Sequence, residues 1–445
     1  MVSSGDTIAA IATAPGRGAV GILRISGPAT GNIATSILGC LPSPRVATLR
    51  PFSDLNHRLL DHGIALFFAG PASYTGEDLL ELQAHGGPAV MRGLLAAAYD
   101  AGARPARPGE FTQRAFLNGK IDLLQAESVA TLIETASAQA ASAAARACAG
   151  DFSTAVTGIN DALKTLWAML EASIDFAEET SVQTGPIEQA FGNLRHQLSG
   201  LLRDARAGAR LNQGLDVAIV GRPNSGKSTL LNRLCRDDRA IVTDIPGTTR
   251  DVLSVDVDLS GLALRIHDTA GLRETADPIE QEGLRRARAL LKRCDILLYV
   301  VALDDADQTE PAEVSAAREL GLPVLTVANK RDLLATQPAE TPAIDKVFIS
   351  ALTGEGLATL EQALLDLAGG QEILDAPFVA RARHIEALER ASAQLTQAQL
   401  ENADGALELA CEGLRLASRA LEEMTGTYTT EDLLGDIFSR FCIGK

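Results

Sequence analysis

Apolar and polar positions divide the chain into three kinds of segment. Over residues 1–120, short β-like runs are punctuated by glycine and proline. Residues 8–12, 20–25, 63–68 and 79–82 read as strands, 88–99 as a helix and 105–111 as a loop. A separate α+β domain is predicted there. From residue 123 to about 211 the period changes to 3.6, beginning with Leu123, Leu124, Ala130, Leu132 and Ile133. Residues 183–186 interrupt that helical pattern, and 187–210 resume it. Residues 380–425 are helical again, with Ile385, Leu388, Leu395 and Leu407 among the apolar positions.

Between the helical blocks, strand candidates at 216–220, 262–267, 296–301, 324–328 and 347–349 alternate with loops and helix-like runs. Such alternation predicts a parallel sheet with helices on both faces. The simplest architecture inserts an α/β domain (213–372) between two parts of a helical domain (121–212 and 373–445). Two independent helical segments remain the alternative.

Composition narrows this picture. A chain of 445 residues is too long for one ordinary core, and 46% hydrophobic residues argue against disorder. The net charge of -17 gives no support to nucleic-acid binding through charge alone. The basic runs at 203–210 and 285–293 read as solvated helix faces. Six cysteines at 40, 148, 235, 294, 411 and 442 form no Cys-x-x-Cys pair and no zinc spacing, so a reduced cytoplasmic protein is expected. No secretory signal is read. The apolar run at 296–303 is far short of the ~20 residues of a membrane span, so no membrane anchor is expected.

The strand at 217–220 leads into Gly221-Arg222-Pro223-Asn224-Ser225-Gly226-Lys227-Ser228, and Thr229 follows at a helix start. This order suits a phosphate cradle. Glycines let backbone N–H groups curl around the phosphates, and the helix N-terminus adds its positive end. Lys227 is expected to reach the β- and γ-phosphates, and the Ser228 hydroxyl to ligate Mg²⁺. Such a loop alone does not choose between ATP and GTP.

Three further elements follow. The run Thr243-Asp244-Ile245-Pro246-Gly247-Thr248-Thr249 places Thr249 where a loop hydroxyl completes the Mg²⁺ shell when γ-phosphate is present. Asp268-Thr269-Ala270-Gly271 ends a strand, with Asp268 suited to hold Mg²⁺ through water and the Gly271 N–H suited to the γ-phosphate. Asn329-Lys330-Arg331-Asp332 follows the strand at 324–328. A carboxylate at Asp332 accepts from guanine N1–H and its exocyclic amine, whereas adenine reverses that pattern. Ser350-Ala351 is expected to bring a backbone N–H near guanine O6. Four such elements in order, each at a strand end, identify a GTP site. Leu272, after Gly271, cannot orient water, so another group must do so. Glu280 is the candidate. His85, in a glycine-flanked loop, reads as a turn or domain contact.

Beyond these motifs, residues 6–18 (DTIAAIATAPGRG), 21–27 (GILRISG), 74–78 (YTGED), 84–88 (AHGGP), 107–112 (RPGEFT) and 441–445 (FCIGK) give the chain a resemblance to the MnmE (TrmE) family of tRNA modification GTPases over essentially its whole length. The resemblance implies an N-terminal folate-binding and dimerising α+β domain, an all-α helical domain and the inserted P-loop GTPase domain. It implies a homodimer acting with the FAD-dependent protein MnmG on C5 of the wobble uridine of certain tRNAs. The group installed would be of aminomethyl or carboxymethylaminomethyl type, with 5-formyl- or methylene-tetrahydrofolate as the one-carbon source. By motif position, Arg24, Glu81, Lys120 and Lys445 would contact the folate. The resemblance places a K⁺ site at Asn224, Thr243, Ile245 and Thr248 and makes Glu280 the water-orienting residue. Cys442, four positions from residue 445 inclusive, is expected to act near the one-carbon carrier rather than only as a buried thiol. A ribosome-assembly GTPase and a nucleotide-gated scaffold are the alternatives. Both share the GTP motifs and predict no folate binding.

Overall fold

The computed structural model describes residues 5–135, 137–175, 184–236, 254–259, 261–268, 288–305, 309–333, 345–428, 431–439 and 441–444. Its contacts divide the chain into two compact units. One holds Met1–Ala130, Cys148–Val182 and Gln397–Lys445; the other holds Thr131–Ala147 and Gln183–Thr396.

The first unit carries strands β1 (Ile8–Ile11), β2 (Gly21–Ser26), β3 (Thr48–Ser53), β4 (Leu59–Phe68), β5 (Leu79–Ala84) and β6 (Arg104–Pro105). They form one sheet in the order β3-β4-β5-β2-β1-β6, antiparallel except for the parallel β1–β6 pair. Helices α1 (Thr30–Leu38) and α2 (Pro88–Asp100) cover the sheet's apolar side chains. Leu23, Ile25, Leu80 and Leu82 from the strands meet Ile33, Ile37 and Leu94 from the helices in a core from which water is excluded. Pro88 starts α2, where its missing N–H costs nothing, and Gly39 ends α1 in the left-handed region. Helix α3 is Glu110–Leu117, so the expected loop at 105–111 already turns helical at Glu110.

The predicted helical block is resolved into α4 (Leu123–Glu134), α5 (Ala138–Ala149), α6 (Asp151–Asp175) and α7 (Thr184–Gln213). In the first unit α6 packs along a helix of the chain's later part, where Asn160 and Ser418 share a buried 2.7 Å hydrogen bond.

The second unit has a second six-stranded sheet. Its strands are β7 (Leu215–Gly221), β8 (Ser254–Leu259), β9 (Leu262–Asp268), β10 (Ile296–Ala302), β11 (Val324–Asn329) and β12 (Lys346–Phe348). The order is β12-β11-β10-β7-β9-β8, and every pair is parallel except β8–β9. Val217, Ala218, Ile219 and Val220 are all buried in succession, as a strand covered on both faces requires. Helices α8 (Lys227–Arg236), α9 (Ala312–Glu319), α10 (Leu357–Ala368) and α11 (Gln371–Leu374) follow strands of this sheet. The chain continues through α12 (Ala382–Ala403), α13 (Leu407–Thr425) and α14 (Glu431–Ser439); α13 is the helix that pairs with α6. The fold is therefore an α/β P-loop domain set among helices, with an N-terminal α+β sheet domain. Among the described residues no helix is long and apolar enough to cross a membrane.

Candidate nucleotide site and a second polar site

The sheet of the second unit brings strand ends to one edge. Strand β7 stops at Gly221 and α8 starts at Lys227, so residues 222–226 turn the chain between them. Asn224 (φ 62) and Gly226 (φ 94) both adopt the left-handed conformation that this tight turn needs. Gly226 is required twice over, because a Cβ there would collide with the Asn329 amide nitrogen. Lys227 is buried, and its ammonium donates to the carbonyls of Gly221 (2.9 Å) and Arg222 (2.8 Å). Ser228 and Thr229 are exposed in the first turn of α8. The Ser225 hydroxyl oxygen is buried with no hydrogen-bond partner among the described residues. Positive-φ backbone, a helix N-terminus, an ammonium and an orphaned hydroxyl fit the phosphates of a nucleotide. The hard hydroxyl oxygen of Ser228 fits Mg²⁺.

The base side is built from three strand ends. Asn329 closes β11, and its amide donates to the Ser225 carbonyl at 2.9 Å. Its side-chain oxygen accepts the Ala351 N–H at 2.9 Å. One buried side chain thus ties the phosphate loop to the loop after β12. The expected Ala351 N–H is present but is donated to Asn329. Asp332 sits in a short 3-10 turn, Arg331–Leu333, and accepts the Ser350 hydroxyl at 2.5 Å. The Lys330 ammonium pairs with Asp304 at 2.9 Å. Asp304 and Arg233, whose guanidinium donates to the Thr353 carbonyl at 2.7 Å, carry no signal in the sequence. Their partners lie in other motifs, at distances along the chain that no periodicity connects.

Asp268 is the last residue of β9 and is paired in register with Ile219 of β7, one strand from the phosphate loop. Its side chain lies outside the described residues. So do Thr243, Asp244, Ile245, Pro246, Gly247, Thr248, Thr249, Thr269, Ala270, Gly271, Leu272 and Glu280, and with them most of the K⁺, Mg²⁺ and water-orienting expectations.

The first unit holds a second polar site. The register pairs Arg24 of β2 directly with Glu81 of β5. The guanidinium donates twice to one oxygen of Glu81, Nε at 3.0 Å and a terminal nitrogen at 2.8 Å. The other Glu81 oxygen accepts no hydrogen bond among the described residues. The rings of Tyr74 and Phe111 each lie 5.7 Å from the guanidinium carbon. Tyr74 bonds Thr112 at 2.9 Å; burial raises its phenol pKa, against the lowering pull of Thr112 and Arg24. Lys120 lays its stem over Gly76 and donates to the Pro71 carbonyl at 3.0 Å, in the loop that carries Tyr74. Arg24 also donates to the Gly444 carbonyl at 3.3 Å, which brings the segment with the exposed Cys442 to this sheet. Lys445 lies outside the described residues.

The same unit holds a charge cluster that sequence reading missed. Arg114 is buried and pairs with Asp6 (2.8 Å), Glu77 (3.0 Å) and Glu110 (3.4 Å); Arg104 pairs with Asp6 and Glu110. Burial alone would raise the Glu110 pKa, but hydrogen bonds from Arg104 and the Arg107 N–H hold it at about 2. His85 is held by Asp61 of β4, its ring nitrogen 2.9 Å from that carboxylate and its backbone N–H 2.8 Å from it.

Residues 123–442 match the model of the MnmE helical domain, and residues 7–120 match that of the GTP-binding protein TrmE N-terminus. The tRNA modification GTPase MnmE of Nitrosomonas europaea is 47% identical, with 100% of each chain aligned. That of Azoarcus sp. is 48% identical over 99% of this chain and 98% of its own. That of Nitrosospira multiformis is 46% identical over 99% of both. With both family models matched in sequence and relatives this similar from end to end, the chain belongs to the MnmE (TrmE) family of tRNA modification GTPases.

Proposed function

We propose that this GTPase uses GTP hydrolysis to drive installation of an aminomethyl or carboxymethylaminomethyl group on C5 of the wobble uridine of certain tRNAs. In this reading it acts in the cytoplasm as a homodimer with an FAD-dependent partner, MnmG, and takes its one-carbon unit from 5-formyl- or methylene-tetrahydrofolate. The working domains are 1–120 for folate and dimerisation, 121–212 and 373–445 for the helical domain, and 213–372 for GTP. The observation that carries the reading is the presence of two separately built sites in one chain. One ties Asn329, Asp332, Ser350 and Ala351 to a phosphate loop. The other pairs Arg24 with Glu81 and draws in the segment that bears Cys442.

At the first site Asp332, oriented by the Ser350 hydroxyl, accepts from the guanine N1–H and exocyclic amine. Lys227 exchanges its loop carbonyls for β- and γ-phosphate oxygens, and Thr229 stays in the helix turn beside them. Ser228 with Thr249 and Asp268 would hold Mg²⁺, and Asn224, Thr243, Ile245 and Thr248 would hold K⁺. Bound there, the ions would supply positive charge to offset that on the transferring phosphoryl group. Glu280 orients the attacking water, the task that Leu272 cannot perform.

At the second site the unengaged oxygen of Glu81 suits the N–H edge of a pterin, and the exposed ammonium of Lys120, with Lys445, suits the glutamate tail. Cys442 is exposed and lies in the same short segment as Lys445. The homodimer is supported by an apolar face on the sheet edge. Leu49 and Ile64 are cross-strand partners on β3 and β4, and Leu49 is 74% and Ile64 38% exposed. Nucleoside analysis of tRNA from a deletion strain tests the proposal. Loss of the modified wobble uridine is expected. Unchanged wobble uridines would leave the chain as a ribosome-assembly or scaffold GTPase.

A further inference from the structure

The segment after α14 makes contacts that a loose terminus does not make. Phe441 is buried with Leu123, Ala126, Ile437 and Phe438, its ring 5.4 Å from that of Phe438. Past it the chain lies against the end of β1 and the start of α3. The Gly109 N–H donates to the Cys442 carbonyl at 3.4 Å, and the Gly444 carbonyl accepts from Arg24 at 3.3 Å.

Both approaches occur at glycines that no other residue could replace without displacement. A Cβ at Gly444 (φ 101) would collide with the Ile11 carbonyl oxygen and lie 3.0 Å from the Ala12 Cα. A Cβ at Gly109 (φ 64) would lie 2.8 Å from the Phe438 carbonyl oxygen and 2.9 Å from the Phe441 Cβ. Gly435, in α14, has nothing within 4 Å of such an atom.

Arg24 is the point where this seat meets the polar site. Its side chain is 22% exposed, and its donors are divided between one Glu81 oxygen and the Gly444 carbonyl. Glu81 is 17% exposed and keeps its second oxygen unengaged.

We propose that Gly109 and Gly444 seat the C-terminal segment on Arg24, and that Arg24 is a positioning residue that couples this seat to ligand binding at Glu81. The ligand class is a heterocycle with adjacent ring and exocyclic N–H donors, which the free Glu81 oxygen accepts; this part rests on the folate reading above. Because one guanidinium holds both the carboxylate and the tail, a ligand that orders Glu81 strengthens the seat, and the seat strengthens ligand binding by the same factor.

The test uses the full chain with Gly444→Ala, and Gly435→Ala as the control, in amide hydrogen exchange and in titration with 5-formyltetrahydrofolate. In Gly444→Ala, the hydrogen-bonded amides of Phe441 and Gly109 are expected to exchange at least tenfold faster, since a non-glycine residue forced to positive φ against backbone unseats the segment. The dissociation constant for 5-formyltetrahydrofolate is expected to rise by a similar factor. GTP hydrolysis stays within twofold, which shows that the chain is folded, and Gly435→Ala matches the wild type in every readout. In the wild type, saturating 5-formyltetrahydrofolate should slow exchange of the same amides. Arg24→Gln, which keeps a polar group but lacks the fork, should reproduce both effects. Unchanged exchange in Gly444→Ala overturns the seat. Faster exchange with an unchanged dissociation constant overturns the coupling. A wild-type chain that does not bind 5-formyltetrahydrofolate overturns the folate reading and the coupling together, while exchange alone still decides the seat.

Discussion

The buried charge cluster of the first unit sets how that unit responds to acid. Glu110 is fully buried, and its carboxylate takes two contacts from Arg104 (2.9 and 2.5 Å), one from the Arg107 N–H (2.8 Å) and one from Arg114 (3.4 Å). Its pKa is about 2 in the folded chain against an ordinary 4.5. At ~1.4 kcal/mol per unit, ionised Glu110 stabilises the fold by about 3 kcal/mol at neutral pH. A folded-state pKa below the unfolded one means that the stabilisation is complete above 4.5 and fades as pH falls toward 2. At pH 3 linkage leaves about 1 kcal/mol. Glu110→Gln removes that charge and leaves Arg114 with Asp6 and Glu77 only. The variant should unfold with a deficit of about 3 kcal/mol at pH 7, shrinking to about 1 at pH 3. Trp167 is the chain's only tryptophan and lies in α6 of the same unit, so its fluorescence in urea reports this transition. Equal urea midpoints at pH 7, or a deficit that does not shrink on acidification, would refute the assignment of the low pKa to a stabilising cluster.

Other consequences concern the GTP site. Asp332→Asn should weaken GTP binding by roughly 10- to 100-fold, the size of a hydrogen bond to a charged group, and turn base preference toward xanthine nucleotides; fluorescent-nucleotide titrations that show unaltered affinity and preference would count against the guanine assignment. Ser350→Ala removes the hydroxyl that orients Asp332 and should cost about 1 kcal/mol in GTP affinity, or about fivefold, with little change in turnover; a change confined to turnover would place Ser350 elsewhere. Hydrolysis should run faster in KCl than in matched NaCl, with Rb⁺ substituting for K⁺ and with paired G domains seen by light scattering; equal rates and no association would remove the K⁺ mechanism. Glu280→Ala should slow hydrolysis while GTP affinity stays nearly intact, since its proposed role is confined to the attacking water; a variant that hydrolyses at the normal rate would leave Leu272 uncompensated.

What was legible in the sequence follows from how each element is buried. Strands β7 and β10 are covered on both faces, so they appear as unbroken apolar runs, and the phosphate loop is legible from its place at the end of β7. Strand β8 was not read. Its Val255, Val257 and Leu259 alternate with polar residues on an antiparallel edge, a weak signal over 6 residues. Strand β3 escaped for a related reason. It carries Pro51, which only an edge strand tolerates, and Phe52 is its one buried residue. In the nucleotide site Asn329 and Asp332 are visible because both belong to one short motif. The Arg233–Thr353 bond is not, because its partners are 120 residues apart and neither position has a period to betray it.

The second site shows the same limit most sharply. Read along the chain, Arg24 and Glu81 are isolated charges on two strands, and nothing in the spacing joins them. The β2–β5 register makes them direct partners; a slip of one residue would put them on opposite faces of the sheet. The third partner is a backbone carbonyl 420 residues away, and a carbonyl has no side-chain identity for a sequence to display. Gly444 alone leaves a trace of that contact, and it is an indirect one. The chain records the meeting not by the residue that makes the bond but by the absence of a Cβ where one would have prevented it.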